Sequence, residues 1–245
     1  MNRRELLASC GLLLAGVSAS SLTARRAMAA SADDLELLNS LQACTPVDAL
    51  TRLQEGNRRF AKAWVATSGS GTPRQRMDTL KAIWDDNCQI EPAALAQGQK
   101  AFAAILSCAD ARVDPSWIFA SGSGELFQVR SAGNTAFNEA IASMEYAVSV
   151  LGTPLVVVMG HSACGAVKAA MATNPLTPML EELVQPIRAS MQPDAGLEAT
   201  IKGNVCAASA TLVHNSAVLR DAVDGGRLTI RGAYFDIGSG QVTWL

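Results

Sequence analysis

Histidine is scarce in this chain of 245 residues, where His161 and His214 are the only two. Chemistry that needs an imidazole, as base or as metal ligand, must therefore use one or both. An excess of charge is also missing, because 20 Lys and Arg face 22 Asp and Glu for a net charge of −2. The basic residues are scattered, so the positive stripe that nucleic-acid binding requires is absent and no nucleic-acid partner is expected. Six cysteines, irregularly spaced over a chain this long, do not form a disulfide scaffold and must each be judged by their neighbours. No apolar run reaches the ~20 residues of a membrane-spanning helix, so no stable membrane anchor is expected. No internal repeat and no second-domain linker stands out. What is present is a hydrophobic share of 49%, enough for one or two compact domains with a substantial core.

The first residues read as an address. Arg3 and Arg4 precede an apolar run from Leu12 to Val17, and Ala27-Met28-Ala29 has the small-x-small form of a signal-peptidase site. Asn2-Arg3-Arg4-Glu5-Leu6-Leu7 resembles a twin-arginine signal, and Arg25-Arg26 just before the cleavage site favours that route over Sec export. Cys10 precedes the apolar core, which excludes a lipoprotein box. Residues 1–29 are thus expected to be removed, leaving a periplasmic or secreted protein with an N-terminal segment over 30–47 and a folded domain over 48–245.

Within that domain, Leu50, Leu53, Phe60 and Trp64 recur at helical intervals and predict a helix over Asp48–Ala63. Gly69 to Pro73 breaks it, and a second helical stretch covers Arg74–Trp84. Short apolar runs at Ala101–Ser107, Leu126–Arg130 and Leu155–Met159 predict strands, the last buried on both faces as in a parallel sheet. Helical patterns at Ala136–Val150, Cys164–Thr173, Pro175–Met191 and Leu197–Val223 surround them, and Arg227–Tyr234 with Gln241–Leu245 form a final strand pair. Strands alternating with helices predict an α/β domain with a mostly parallel central sheet.

Two motifs fall at strand ends, where open α/β sheets place ligands. Cys108-Ala109-Asp110-Ala111-Arg112 follows the first strand, and His161-Ser162-Ala163-Cys164 follows the third. Folded side by side, these strands would bring Cys108, His161 and Cys164 to one edge. Two thiolates and an imidazole suit zinc by softness, and three protein ligands leave the fourth tetrahedral position open, which is the catalytic form of a zinc site. Asp110 and Arg112 form a charged pair beside them. A buried cysteine or a lone histidine is more often plain packing, but the two motifs together argue for the metal. A phosphatase-like loop at Cys164 is excluded, because Ala170 stands where that loop needs Arg.

At these residues the chain resembles the β-carbonic anhydrase family, which carries Cys-x-Asp-x-Arg and later His-x-x-Cys. The likeness extends through Glu55 to Phe60, Gly98-Gln99, Gly124 to Phe127, Arg130 to Asn134, Glu145-Tyr146, Gly160 to Gly165 and Gly232 to Tyr234. The resemblance implies a zinc lyase for the reversible hydration of carbon dioxide to bicarbonate, with an N-terminal helical arm and a dimer or dimer-based tetramer. It implies that Cys108, His161 and Cys164 hold one zinc, that Asp110 and Arg112 are catalytic, and that Gln99, Phe127 and Tyr146 wall the pocket. Ile105 and Ser107 replace the Trp and Gly of the family's bicarbonate-inhibited branch, which implies the branch with water as resting ligand. Lys100-Ala101 departs from the usual Pro-containing turn after Gln99. Alternatives on the same fold are a carbon disulfide or carbonyl sulfide hydrolase, and a non-catalytic zinc protein, which would be expected to lose Asp110 or Arg112.

In the mechanism, Asp110 clasped by Arg112 orients hydroxide toward carbon dioxide and stays off the metal. His214, in an apolar stretch, is expected to be structural, leaving buffer or a water chain to carry the proton. Of the other cysteines, Cys206 is expected to be a buried small hydrophobe, while Cys44 and Cys88, both in polar stretches, either pair with each other or stay free thiols.

Overall fold

The computed structural model describes residues 44–245 apart from 70, 85 and 86. The signal peptide expected over 1–29 and the N-terminal segment expected over 30–47, as far as residue 43, lie outside the described residues. The centre is a five-stranded sheet in the order β2-β1-β3-β4-β5, built from β1 (Ala103–Cys108), β2 (Leu126–Ser131), β3 (Leu155–His161), β4 (Thr229–Phe235) and β5 (Val242–Trp244). The first four strands of that order are parallel, and β5 turns back antiparallel on β4. Every residue of β1 and β3 is buried, which is why their sequences are apolar without alternation.

Helices cover both faces. Ile105, Val157 and Met159 point into a layer with Leu53 and Phe60 of α1 (Ala49–Ala66). Leu106, Val156 and Val158 point the other way, against α5 (Asn138–Ser149), α8 (Leu197–Asn215) and α9 (Ala217–Asp224), through Met144, Val205, Leu212 and Leu219. The successive residues of each strand therefore feed opposite layers.

Local chemistry sets the helix ends. Asp48 caps α1, and Thr72 with Gln75 forms a capping box that starts α2 (Pro73–Lys81) at Pro73. A 3₁₀ turn over Ala82–Trp84 completes that stretch. Two short helices carry no periodicity long enough to read in sequence: α3 (Pro92–Gln97) and α4 (Pro115–Ile118). The pair α6 (Gly165–Met171) and α7 (Pro178–Ala189) follows β3. Ser216 divides α8 from α9 by leaving the helical region and capping the second helix through its hydroxyl. No helix among the described residues is long and apolar enough to cross a membrane.

Cys44 and Cys88 form a disulfide with their Cα atoms 5.5 Å apart. Beside it Asn87 is buried, and its side-chain oxygen accepts hydrogen bonds from Arg52 (2.8 Å) and Arg59 (3.3 Å) of α1. The bridge therefore fixes the approach to α1 against the stretch that follows the 3₁₀ turn.

Two expectations are corrected. Cys206 is exposed, because α8 buries Ile201, Asn204, Val205, Ala208 and Leu212, and the next residue after Val205 is rotated by ~100° toward solvent. His214 is exposed as well. It lies in the last turn of α8, past the buried Leu212, so neighbouring apolar residues did not carry it into the core.

Candidate metal centre

β1 lies between β2 and β3, so the chain leaves β1 toward one side of the sheet and returns on the other. This reversal opens a crevice at the carboxyl ends of β1 and β3. Cys108 ends β1 and His161 ends β3. Cys164 precedes α6, brought back by Ala163 in the left-handed region (φ 57°). The Sγ atoms of Cys108 and Cys164 and a ring nitrogen of His161 lie within 4.8 Å of one another, all on buried residues.

The donor set fits zinc on two observations. The two sulfurs are 4.0 Å apart, close to the ~3.8 Å that two thiolates keep when each is about 2.3 Å from one tetrahedral ion. His161 Nδ1 is 2.9 Å from the Ser162 carbonyl oxygen. A carbonyl can only accept, so Nδ1 carries the hydrogen and Nε2 is left as a bare lone pair. That Nε2 is buried with no hydrogen-bond partner in the protein, a costly state that a metal relieves.

The two thiols are biased in opposite directions, Cys108 toward losing its proton and Cys164 toward keeping it. The Cys164 side chain beside Cys108, with help from His161 and from the Gly133 N–H, pulls Cys108 below the ordinary thiol range. Contact with Cys108, together with burial, pushes Cys164 up. Gly133 N–H donates to Cys108 Sγ at 3.2 Å.

Asp110 stands over this cluster, its Oδ2 3.8 Å from His161 Nε2. Arg112 clasps both carboxylate oxygens, with Nε to Oδ1 at 2.9 Å and Nη2 to Oδ2 at 2.6 Å, and its backbone N–H also donates to Oδ1 at 3.0 Å. The guanidinium holds Asp110 well below the usual carboxylate range. Arg130, at the end of β2, staples the loop by donating to the carbonyls of Cys108, Asp110 and Val113.

Gln99, Phe127 and Tyr146 gather elsewhere. Phe127 pairs with Ala104, at the opposite end of β1 from Cys108. Its ring lies 6.1 Å from that of Tyr146, and Tyr146 lines an open cavity with Gln99, Gly98 and Gly124. Sequence reasoning assigned no role to Arg130, Gly133 or the Ser162 carbonyl. Gly133 carried a readable signal, a glycine between a strand and a helix; Arg130 acts through its own guanidinium on carbonyls that only the fold brings within reach, and the Ser162 contact uses a carbonyl that every residue has.

A family model described as carbonic anhydrase matches residues 103–242. Carbonic anhydrase 2 of Mycobacterium tuberculosis is 32% identical over 205 residues, covering 80% of this chain and 91% of that protein. Among solved structures, one of two tetrameric β-carbonic anhydrases from the ascomycete Sordaria macrospora aligns with a TM-score of 0.56 at 25% identity, covering 62% of this chain and 84% of that one. A Coccomyxa β-carbonic anhydrase, solved with acetazolamide, shares the fold with a TM-score of 0.57 at 24% identity, over 82% of this chain and 87% of that one.

Proposed function

The chain belongs to the β-carbonic anhydrase family, and from that premise we infer a zinc-dependent carbonate dehydratase with Cys108, His161 and Cys164 as metal ligands and Asp110 and Arg112 as its catalytic pair. The enzyme interconverts carbon dioxide with bicarbonate and a proton. The observation that carries the site assignment is the bare, buried His161 Nε2 facing two thiols beneath a clasped carboxylate.

Zinc held there would supply Lewis acidity and lower the pKa of water from about 15.7, less far than the ~7 of a three-histidine site because two thiolates offset its charge. Asp110, kept ionised by Arg112, would accept a hydrogen bond from a hydroxide made available there and so orient it for attack on carbon dioxide. Arg112 occupies both carboxylate oxygens and would thereby keep Asp110 from binding the metal itself. Arg130 fixes the Cys108–Val113 backbone, so the carboxylate and the thiolate move as one unit. Ser162 holds the His161 tautomer that leaves Nε2 free.

Gln99, Phe127 and Tyr146 serve the pocket when a second copy brings them to the metal crevice of its partner. The separation of these residues from Cys108 within one chain supports that reading, as do the exposed side chains of Phe137, Tyr146, Val150 and Met179. The tetrameric relatives from Sordaria macrospora support a dimer-based assembly. Export by the twin-arginine route to the periplasm or beyond is supported by Arg3-Arg4 with the Ala27-Met28-Ala29 site. The Cys44–Cys88 disulfide is at home in an oxidising compartment.

Stopped-flow hydration of carbon dioxide by the mature protein, with metal analysis on the same sample, tests the reading. Rapid hydration with one zinc per chain is expected. Turnover of carbon disulfide or carbonyl sulfide without carbon dioxide hydration would replace it with the hydrolase, and stoichiometric zinc with no turnover would leave a binding protein.

A further inference from the structure

We propose that Asn204 is a positioning residue of the metal centre, holding the Gly133 carbonyl so that the Gly133 N–H stays aimed at the Cys108 sulfur. The inference rests on the zinc reading of Cys108, His161 and Cys164. Asn204 is 2% exposed and sits on the buried face of α8 with Thr200, Ile201, Val205, Ala208 and Leu212, beside apolar neighbours on both sides. An amide buried among such residues is costly unless bonded. Its Nδ2 donates to the Gly133 carbonyl at 2.8 Å, across 71 residues of sequence.

Gly133 has need of that support. It lies in the left-handed region (φ 73°, ψ 22°), and Asn134 after it is left-handed too (φ 48°). A Cβ at Gly133 would meet Ile187 Cδ1 at 2.8 Å and Ala166 Cβ at 3.1 Å, so no side chain can pin this turn. The N–H and the carbonyl of Gly133 belong to the two peptide planes on either side of its Cα. Fixing the second plane through Asn204, in a site with no spare room, fixes the first, whose N–H lies 3.2 Å from Cys108 Sγ. Another glycine brings the helix into reach. A Cβ at Gly160 would strike Val205 Cγ2 at 2.7 Å and Ile201 Cγ2 at 2.9 Å, so α8 lies directly against β3 one residue before His161. An N–H donated to a thiolate withdraws charge from sulfur and fixes its orientation, which tunes the ligand from outside the coordination shell.

The test uses the whole mature protein loaded with cobalt(II), whose thiolate charge-transfer absorption reports on the sulfur. In Asn204→Leu, sulfur released from its N–H donor should shift that band to longer wavelength, and metal affinity should fall roughly tenfold. Val205→Ala, which trims the same helix without touching Gly133, should lower thermal stability and leave band and affinity unchanged. A folded Asn204→Leu protein with the unaltered band and affinity would overturn the proposal, as would an equal shift in Val205→Ala. Should the leucine variant not fold, Asn204→Ala is read by the same criteria. Gly133 in the unaltered cadmium-113 protein provides a check without mutation: its amide proton should show scalar coupling to the metal, and lack of coupling overturns the proposal. Failure of the zinc reading itself looks different, as the unaltered chain would then take up no stoichiometric cobalt.

Discussion

Oδ2 of Asp110 lies 3.8 Å from Nε2 of His161, close enough to meet the same small ligand and too far to bond the nitrogen directly. The carboxylate is held at that distance by Arg112, and the nitrogen is held open by Ser162.

Asp110→Asn keeps the shape but removes the ionised acceptor that Arg112 maintains. Zinc content should stay at one per chain, while carbon dioxide hydration falls by about 10²–10⁴-fold, the usual worth of a positioned acid–base group. Stopped-flow assay with metal analysis checks both, and near-normal turnover would remove Asp110 from the mechanism.

X-ray absorption on the zinc protein should show two sulfur and one nitrogen ligand from the chain, the signature of Cys108, Cys164 and His161. A shell of oxygen alone would end the assignment. Removing the metal with a chelator should abolish hydration, and zinc should restore it.

Cys88→Ser opens the loop of 44 residues closed by Cys44. In the chain-entropy model the loss is about 4 kcal/mol, read as a lower thermal midpoint. Reductant should bring the unaltered protein toward the same midpoint and leave the variant where it is. Cys206, being exposed, should accept an alkylating agent in the folded protein without loss of zinc.

Asp236 accepts from the Ser239 hydroxyl (2.7 Å) and backbone N–H (2.9 Å), and the hydroxyl bond is the larger of the causes that lower its pKa. A folded pKa below the unfolded 3.8 means that its stabilisation is present above that value and is lost as pH falls through the folded pKa. Asp236→Asn should therefore cost about 1 kcal/mol at neutral pH, with the difference from the unaltered protein shrinking below roughly pH 4. A difference that stays constant between pH 7 and pH 3 in thermal melts would refute the charge-based account.

Replacing Arg3 and Arg4 together by Lys should strand a folded, zinc-loaded precursor in the cytoplasm if the twin-arginine route is used. Fractionation with blotting decides, and an unchanged exported yield would favour Sec. Early metal loading has a physical logic, because zinc on Cys108 and Cys164 protects both from oxidation outside the cytoplasm.

Much of this was legible before any fold was known. The uninterrupted apolar run at Leu155–Met159 announced a strand buried on both faces, and the structure buries all of it. The two motifs at strand ends pointed to Cys108, His161 and Cys164, which the structure gathers within 4.8 Å, and to Asp110 and Arg112, which it finds clasped together. The polar surroundings of Cys44 and Cys88 made a pairing possible and left free thiols equally open, and the fold decided it by bringing their Cα atoms to 5.5 Å. The short helices α3 and α4 were not legible, since a helix of one or two turns has no period to read.

Residue types and their spacing along a strand or helix are properties of the sequence, and these determined the chemistry of the site and the order of its elements. Only the tertiary structure decided which way each face turned and which backbone groups met. It exposed Cys206 and His214 despite apolar neighbours, set Phe127 beside Ala104, at the far end of β1 from Cys108, and brought Asn204 of α8 to the Gly133 carbonyl. The reason is physical: a side chain carries its chemistry wherever it goes, whereas exposure and backbone hydrogen bonds depend on how helices pack over the sheet, and every residue offers nearly the same backbone donor and acceptor.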